Sequence, residues 1–145
     1  MDDQYQLFVD SLELNTIETV EFGGARFRPG FAPQTKFSVE TGYVLESGTI
    51  YFRFNVRAQL LEEEGRQESD EDTTDPLGEL GVTLLLIFQF AEPNAEPDPE
   101  HIERFGSEQA TTMAFPYLRE AIQVIAQRLN FPGVVLPMIQ TGETV

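Results

Sequence analysis

Residues 80–90 constrain the fold most, because the strand that they predict is apolar on both faces. Every second residue from Leu80 to Phe90 is Leu, Val or Phe, and Leu85 and Ile87 lie on the opposite face. An antiparallel strand with one solvated face would alternate between apolar and polar residues. The pattern therefore predicts cover on both sides, by a helix on one side and by another subunit on the other. A loop of the same chain is the alternative second cover.

Two strands are expected directly before this one. Thr49–Leu61 alternates without interruption, which predicts one core face and one polar face. Residues 37–45 predict the strand before it, with an irregularity at Gly42. Ser47 and Gly48 between the two strands are typical of a hairpin turn.

The first strand is expected at the N-terminus. Residues 5–14 mix apolar and polar positions, and the pattern continues through acidic and β-branched residues to Phe22. The alternation shifts near Ser11, which indicates a bulge or a bend. Gly23 and Gly24 are expected to end the strand. Residues 27–37 contain two prolines and predict an extended crossover connection.

A single long helix is expected from about 113–116 to 129. Its apolar stripe consists of Leu118, Ile122, Ile125 and Leu129. Pro116 suits the first turn, Asn130 suits a left-handed residue after the last turn, and Pro132 prevents continuation. Residues 101–106 could form a short helical turn that Gly106 ends. The elements together predict an α+β fold, in which one long C-terminal helix follows a four-stranded antiparallel sheet.

Composition favours one folded domain over residues 1–145. The hydrophobic share of 41% is sufficient for a core, and the chain has no cysteine, which fits a reducing compartment. No apolar run is long enough to cross a membrane, and the acidic start does not resemble a signal peptide. We therefore expect a cytoplasmic protein without membrane insertion.

The charge of the chain excludes one large class of partner. The formal net charge is −16, and such a surface repels phosphate backbones, so nucleic-acid binding is not expected. Acidic residues concentrate in 62–78, which predicts a mobile loop between the third and fourth strands. Residues 91–100 contain three prolines and predict a surface linker.

Catalytic and metal-binding patterns are weak. His101 is the single histidine, and we expect it to be an exposed surface residue rather than a catalytic base. The acidic loop does not have the glycine and terminal glutamate spacing of a calcium-binding loop. We expect no catalytic residue, no metal and no cofactor, and thus no enzyme.

Two stretches resemble the SecB family of export chaperones. The first opens with FPYxRE and continues to FPxxxLP, and its matching residues are Phe115, Pro116, Tyr117, Arg119, Glu120, Phe131, Pro132, Leu136 and Pro137. The second lies in the crossover connection, and its matching residues are Phe27, Phe31, Pro33, Lys36 and Phe37. Phe31 stands where the family often has tryptophan.

The resemblance implies a SecB-like domain with a crossover loop, assembled as a homotetramer that is a dimer of dimers. It also implies a holdase that binds unfolded polypeptides in hydrophobic grooves for protein export. The residues expected to bind clients are Phe22, Phe27, Phe31, Phe115, Tyr117, Phe131 and Met138. Acidic residues expected to contact a partner such as the SecA motor are Glu18, Glu21 and Glu79.

Two alternatives remain open for the function. The chain could be a SecB-like protein dedicated to one partner, such as an antitoxin. It could also be a scaffold without general chaperone activity. A general holdase binds unrelated unfolded proteins, whereas a dedicated protein does not.

Overall fold

The computed structural model describes residues 3–30, 34–62, 75–92 and 96–138. A short helix precedes four strands, and a long, nearly continuous helix follows them. The elements are α1 (Asp3–Asp10), β1 (Leu12–Arg26), β2 (Gln34–Glu46), β3 (Thr49–Leu61), β4 (Gly78–Phe90), α2 (Pro99–Phe105), a π-helical segment (Gly106–Ala110) and α3 (Thr111–Arg128).

The four strands form one antiparallel sheet in the order β1-β4-β3-β2. Strands β1 and β2 are therefore the two edges of this sheet, so the chain crosses from one edge to the other between them. This arrangement confirms the predicted four-stranded sheet, crossover and C-terminal helix. The acidic stretch predicted as a mobile loop lies mostly outside the described residues.

The structure confirms the predicted core face of β3 and β4, which is the face that the helix covers. The side chains of Ile50, Phe54 and Leu84 on that side are buried, and α3 packs against β4 and β1. On the opposite face of β4, Thr83 and Ile87 are also buried, although no second layer of described residues covers them. Neighbouring side chains of the sheet supply this burial, so the apolar outer face does not by itself require another subunit.

The prediction for the N-terminal strand is wrong over residues 5–10. This segment forms α1, in which Tyr5 and Phe8 lie three residues apart on one buried face. β1 then begins at Leu12, and its register to β4 shifts between Leu14 and Thr16 and between Thr19 and Glu21. A segment this short carries too few periods for the sequence pattern to separate a helix from a strand.

Two glycine predictions also need correction, and a third is confirmed. Gly23 and Gly24 do not end β1, because β4 approaches so closely there that a Cβ on Gly24 would lie 2.6 Å from the Glu79 carbonyl. Gly42 causes no irregularity, because the register between β2 and β3 is continuous through it. The turn at Ser47 and Gly48 is confirmed, with φ angles of 43° and 80°.

The C-terminal helix begins earlier than predicted. Gly106 does not end α2; it opens a π-helical segment that joins α2 to α3. A Cβ at Gly106 would lie 2.9 Å from the Phe52 ring, so glycine allows the helix to approach β3 closely here. Pro116 lies inside α3 rather than in its first turn. Asn130 has a φ of 64°, which confirms the predicted left-handed residue after the helix.

An aromatic cluster joins α1 to the sheet and to α2. The Phe8 ring lies 6.2 Å from the rings of Phe90 and Phe105, and Phe105 lies 5.1 Å from Phe88. His101 is half-buried beside Tyr5 and Phe8, at ring-centroid distances of 5.7 Å and 6.0 Å, so the prediction of an exposed histidine is wrong. Edge-to-face contacts of this kind stabilise a core beyond the burial of area.

Phe8→Ala should lower the free energy of unfolding by about 3 kcal/mol, because it opens a cavity in this cluster. Chemical denaturation followed by circular dichroism measures the change. Leu7→Ala is the matched control, since Leu7 is in the same helix but 68% exposed, whereas Phe8 is 8% exposed. Equal losses in the two variants would contradict the packing of α1 on the sheet.

Candidate functional site

The Arg26 side chain ties the end of β1 to the end of α3. Its guanidinium donates from Nε to the Leu129 carbonyl at 2.8 Å and from Nη2 to the Asn130 carbonyl at 2.7 Å. It also lies 3.9 Å from the centroid of the Phe131 ring. Carbonyls at a helix C-terminus have no intrahelical donors and carry partial negative charge, which suits a planar cation. One side chain therefore fixes the junction of helix and sheet.

The same guanidinium holds the beginning of the crossover. Its Nη1 donates to the carbonyls of Arg28 and Gly30 at 3.1 Å and 3.3 Å. The backbone N–H of Phe27 donates to the carbonyl of the buried Leu77 at 2.7 Å. The chain thus leaves β1 in a fixed direction, and the Phe27 side chain is left more than half exposed.

Phe27 borders a shallow groove of about 820 Å³ at the crossover end of the sheet, which we call the crossover groove. Its lining includes Phe22, Gly23, Phe27, Lys36, Arg57, Gln59, Glu79 and Gly81. Gly23 and Gly81 are cross-strand partners, so no side chain rises between β1 and β4 at this level. The Arg57 guanidinium occupies the space that a Cβ at Gly81 would need. The groove therefore combines an exposed aromatic ring with polar and charged walls.

The predicted partner-binding residues Glu18, Glu21 and Glu79 lie on one face of the sheet. We call it the outer face, because it is opposite to the face that α3 covers. In the β1–β4 register, Glu18 and Glu21 are opposite Leu85 and Thr83, which share the outer face of β4 with Glu79. Glu21 accepts from Arg57 at 2.8 Å and from the Thr83 hydroxyl at 3.2 Å, so its charge is partly compensated. A role of the three acids in partner binding stays a prediction.

One flank of α3 carries apolar side chains that are exposed at Met113 and Tyr117 and half-buried at Ala121 and Val124. Met113, Tyr117, Ala121 and Val124 recur at spacings of four, four and three residues and thus share one flank of the helix. The helical segment that ends in α3 is parallel to β1. Gly106, before α3, lies beside Phe52 at the hairpin end of the sheet, and Ile125, near the end of α3, lies beside Gly24 at the crossover end. Because α3 is right-handed and lies above β1 and β4, the flank that carries Met113 and Tyr117 faces the open edge of β1.

The inner face of β1 supplies the other side of this surface. Leu14 and Phe22 are on the same face as the core residues Phe88 and Val82, yet both are partly exposed because β1 is an edge strand. We call the two sides together the helix-side surface; it consists of Leu14, Ile17, Phe22, Met113, Tyr117, Ala121 and Val124. Phe22 and Tyr117 are each about half exposed. Contiguous exposed apolar side chains of this kind mark interaction surfaces.

The other predicted client-binding residues have different environments. Phe115 is half-buried and packs against the core, and Phe131 is only 3% exposed, beneath Arg26 and against Gly78. Met138 is largely exposed in the segment after α3. Phe31 lies outside the described residues. The structure therefore brings Phe22 and Tyr117 to one surface, whereas Phe131 supports the crossover from within the core.

The sequence analysis missed Arg26 and Leu14. Leu14 is more than one-third exposed, but it occurs in a stretch that is typical of an ordinary strand. The role of Arg26 was not predicted because its partners, the carbonyls of Leu129 and Asn130, are more than one hundred residues away in the sequence. The local sequence pattern around Arg26 does not predict such a long-range contact.

The described residues offer little for metal binding. No group of three or more His, Asp or Glu side chains among them could hold an ion. None of the described helices is long and apolar enough to span a membrane.

Arg26→Lys should lower the free energy of unfolding by about 1–3 kcal/mol, because an ammonium cannot reproduce the forked hydrogen bonds to two helix-end carbonyls. Thermal and urea unfolding measure the loss. Arg53→Lys is the matched control, since the Arg53 side chain is exposed and makes no hydrogen bond or ion pair with any described residue. An Arg26→Lys protein as stable as the control would refute the role of Arg26 as the junction.

Comparison with known proteins finds a match at the level of structure. No protein-family model and no curated protein sequence matches the chain. Among solved structures, the chain is similar to the SecB-like chaperone Rv1957 of Mycobacterium tuberculosis, solved in complex with a ChAD peptide from the Rv1956 HigA1 antitoxin. The TM-score is 0.76 at 12% sequence identity, and the alignment covers 97% of this chain and 99% of the other. The chain therefore has the fold of a SecB-like chaperone.

Proposed function

We propose that this protein is a SecB-like molecular chaperone that binds extended or non-native polypeptide segments. The observation that carries the proposal is the full-length match to a SecB-like chaperone solved with a peptide bound. The helix-side surface and the crossover groove supply the exposed apolar side chains that such binding needs.

The chemistry of these surfaces suits partners of varied sequence. Met113 is flexible, and the rings of Phe22, Phe27 and Tyr117 offer large apolar areas with few directional demands. Burial of apolar surface contributes roughly 25 cal/mol per Å², whichever side chain supplies it. Edge strand β1 borders the helix-side surface and can add backbone hydrogen bonds to an extended segment. Such binding requires no nucleotide, no metal and no catalytic residue.

The wider cellular role is also part of the proposal. Unfolded polypeptides would be held in the cytoplasm for export and delivered to a motor such as SecA through Glu18, Glu21 and Glu79. A homotetramer would place several binding surfaces on one particle and raise the avidity for a long client.

Dedication to a single partner is the second candidate function. It is favoured by the nature of the ligand in the solved relative, a peptide from an antitoxin. A dedicated chaperone would use the same apolar surfaces but would discriminate by the spacing of its partner's side chains. The breadth of binding separates the two candidates.

Suppression of aggregation of two unrelated, chemically unfolded proteins tests the general function. The wild type should suppress light scattering by both. Phe22→Ala/Tyr117→Ala should weaken client binding by roughly tenfold or more, because two half-exposed rings are removed from the helix-side surface. Phe27→Ala/Phe31→Ala tests the crossover in the same assay. Val44→Ala is the matched control, since Val44 is an exposed apolar residue on the outer face.

Suppression of neither protein by the wild type would remove the general holdase. Tight capture of one defined peptide would then support the dedicated chaperone. Suppression that the two double variants leave unchanged would show that clients bind elsewhere on the molecule.

A further inference from the structure

A second groove lies on the outer face of the sheet, across strands β2 and β3. Gly42 of β2 is opposite Arg53 of β3, and a Cβ at Gly42 would meet no atom within 4 Å. The missing side chain leaves a space of about 490 Å³, which we call the Gly42 groove. Its lining residues are Glu40, Thr41, Gly42, Tyr43, Val44, Tyr51, Arg53 and Leu85. None of them also lines the crossover groove.

The wall of the Gly42 groove is apolar toward the β2–β3 hairpin. Val44 is opposite Tyr51, one row along from Gly42, and Leu85 of β4 is opposite Arg53. Val44 is 56% exposed, and Tyr51 and Leu85 are half-buried, because no second layer of described residues covers this face. Exposed apolar side chains beside an empty space mark a place where a partner's apolar side chain can lie.

Arg53 supplies a free cation beside this apolar wall. Its side chain is exposed and makes no ion pair with any described residue, the diagonal neighbour Glu40 included, whereas Arg57 is paired with Glu21. A guanidinium binds a carboxylate through two parallel hydrogen bonds. Exposed charges beyond about 8 Å are largely screened at physiological salt. A local cation can therefore attract an acidic group to a chain whose net charge is −16.

We propose that the Gly42 groove docks an extended segment of a second protein in which an acidic residue lies two positions from a large apolar residue. Arg53 and Tyr51 are two residues apart on one strand and one face, a separation of about 7 Å. Alternate residues of an extended peptide have the same spacing. The peptide carboxylate thus reaches Arg53 while the apolar side chain lies against Val44 and Tyr51, and an aromatic ring gains a further contact with Tyr51.

Docking in this groove is independent of the helix-side surface. Helix α3 packs on the opposite face of the sheet, on the side of Phe22 and Tyr117. A partner in the Gly42 groove can consequently stay bound while a polypeptide occupies the helix-side surface. The inference therefore does not rest on the proposed chaperone function, and the two can fail separately.

Fluorescence anisotropy with short labelled peptides tests the recognition chemistry. The probe is a serine–threonine peptide that carries glutamate and phenylalanine two positions apart at its centre. Replacement of the glutamate by glutamine should raise the dissociation constant about tenfold, because the bond to Arg53 loses its charge. Placing the two residues next to each other should do the same, since they then point to opposite faces of the peptide. Equal binding of all three peptides, or no binding of the probe, would overturn the proposal.

Variants of the protein locate the site. Arg53→Gln should weaken the binding of the probe about tenfold by removing the cation, and Gly42→Leu should do so by filling the space. A side chain at Gly42 meets no neighbouring atom, so this variant should keep the circular dichroism and the unfolding midpoint of the wild type. Arg119→Gln, on the exposed face of α3, is the matched control for charge and should leave the affinity unchanged.

Two further readouts separate this site from other uses of the surface. Arg53→Gln and Gly42→Leu should both suppress aggregation of unfolded proteins as well as the wild type does. Unchanged probe affinity in both variants would refute the site. A shift in oligomeric state on analytical ultercentrifugation of Arg53→Gln, without a loss of probe binding, would instead assign the groove to contacts between copies and would likewise overturn the proposal.

Discussion

The Arg26 guanidinium is the contact on which the arrangement of sheet, crossover and helix depends. Its nitrogen atoms reach four carbonyl groups, two at the end of α3 and two in the crossover. These carbonyls have no partner in regular secondary structure, because they lie at a helix terminus and in an irregular segment, and the bond to Leu129 is partly buried. Because one planar cation satisfies them together, the position of Phe27 depends on the position of the helix.

A second constraint is that α3 covers only one face of the sheet, and only part of that face. Helix α3 lies over β1 and β4, and the side chains of neighbouring strands bury Thr83 and Ile87 on the outer face. The single chain therefore keeps two open edges and an apolar flank of the helix in contact with water. Folded chains that act alone usually protect such features. Their presence here supports the proposed binding of other polypeptides.

The acidic and basic side chains of the outer face are distributed unevenly over the strands. The outer face carries Glu18, Glu21 and Glu79 on β1 and β4, whereas its cations Lys36, Arg53 and Arg57 are on β2 and β3. The Glu21–Arg57 pair joins the two halves across β4. The net charge of −16 gives the rest of the molecule a strongly negative field.

The sequence by itself determined the strands with regular alternation, the hairpin at Ser47 and Gly48, the left-handed Asn130 and the amphipathic helix, because each is set by neighbours within a few residues. The likeness of residues 27–37 and 115–139 to SecB proteins indicated the fold, which the structure confirms. Only the tertiary structure decided that residues 3–10 form a helix, that Gly106 continues a helix, and that Phe131 is buried while Phe22 is not. These outcomes depend on contacts between distant segments, such as Phe8 with Phe105 or Arg26 with Leu129, and local periodicity does not encode such contacts.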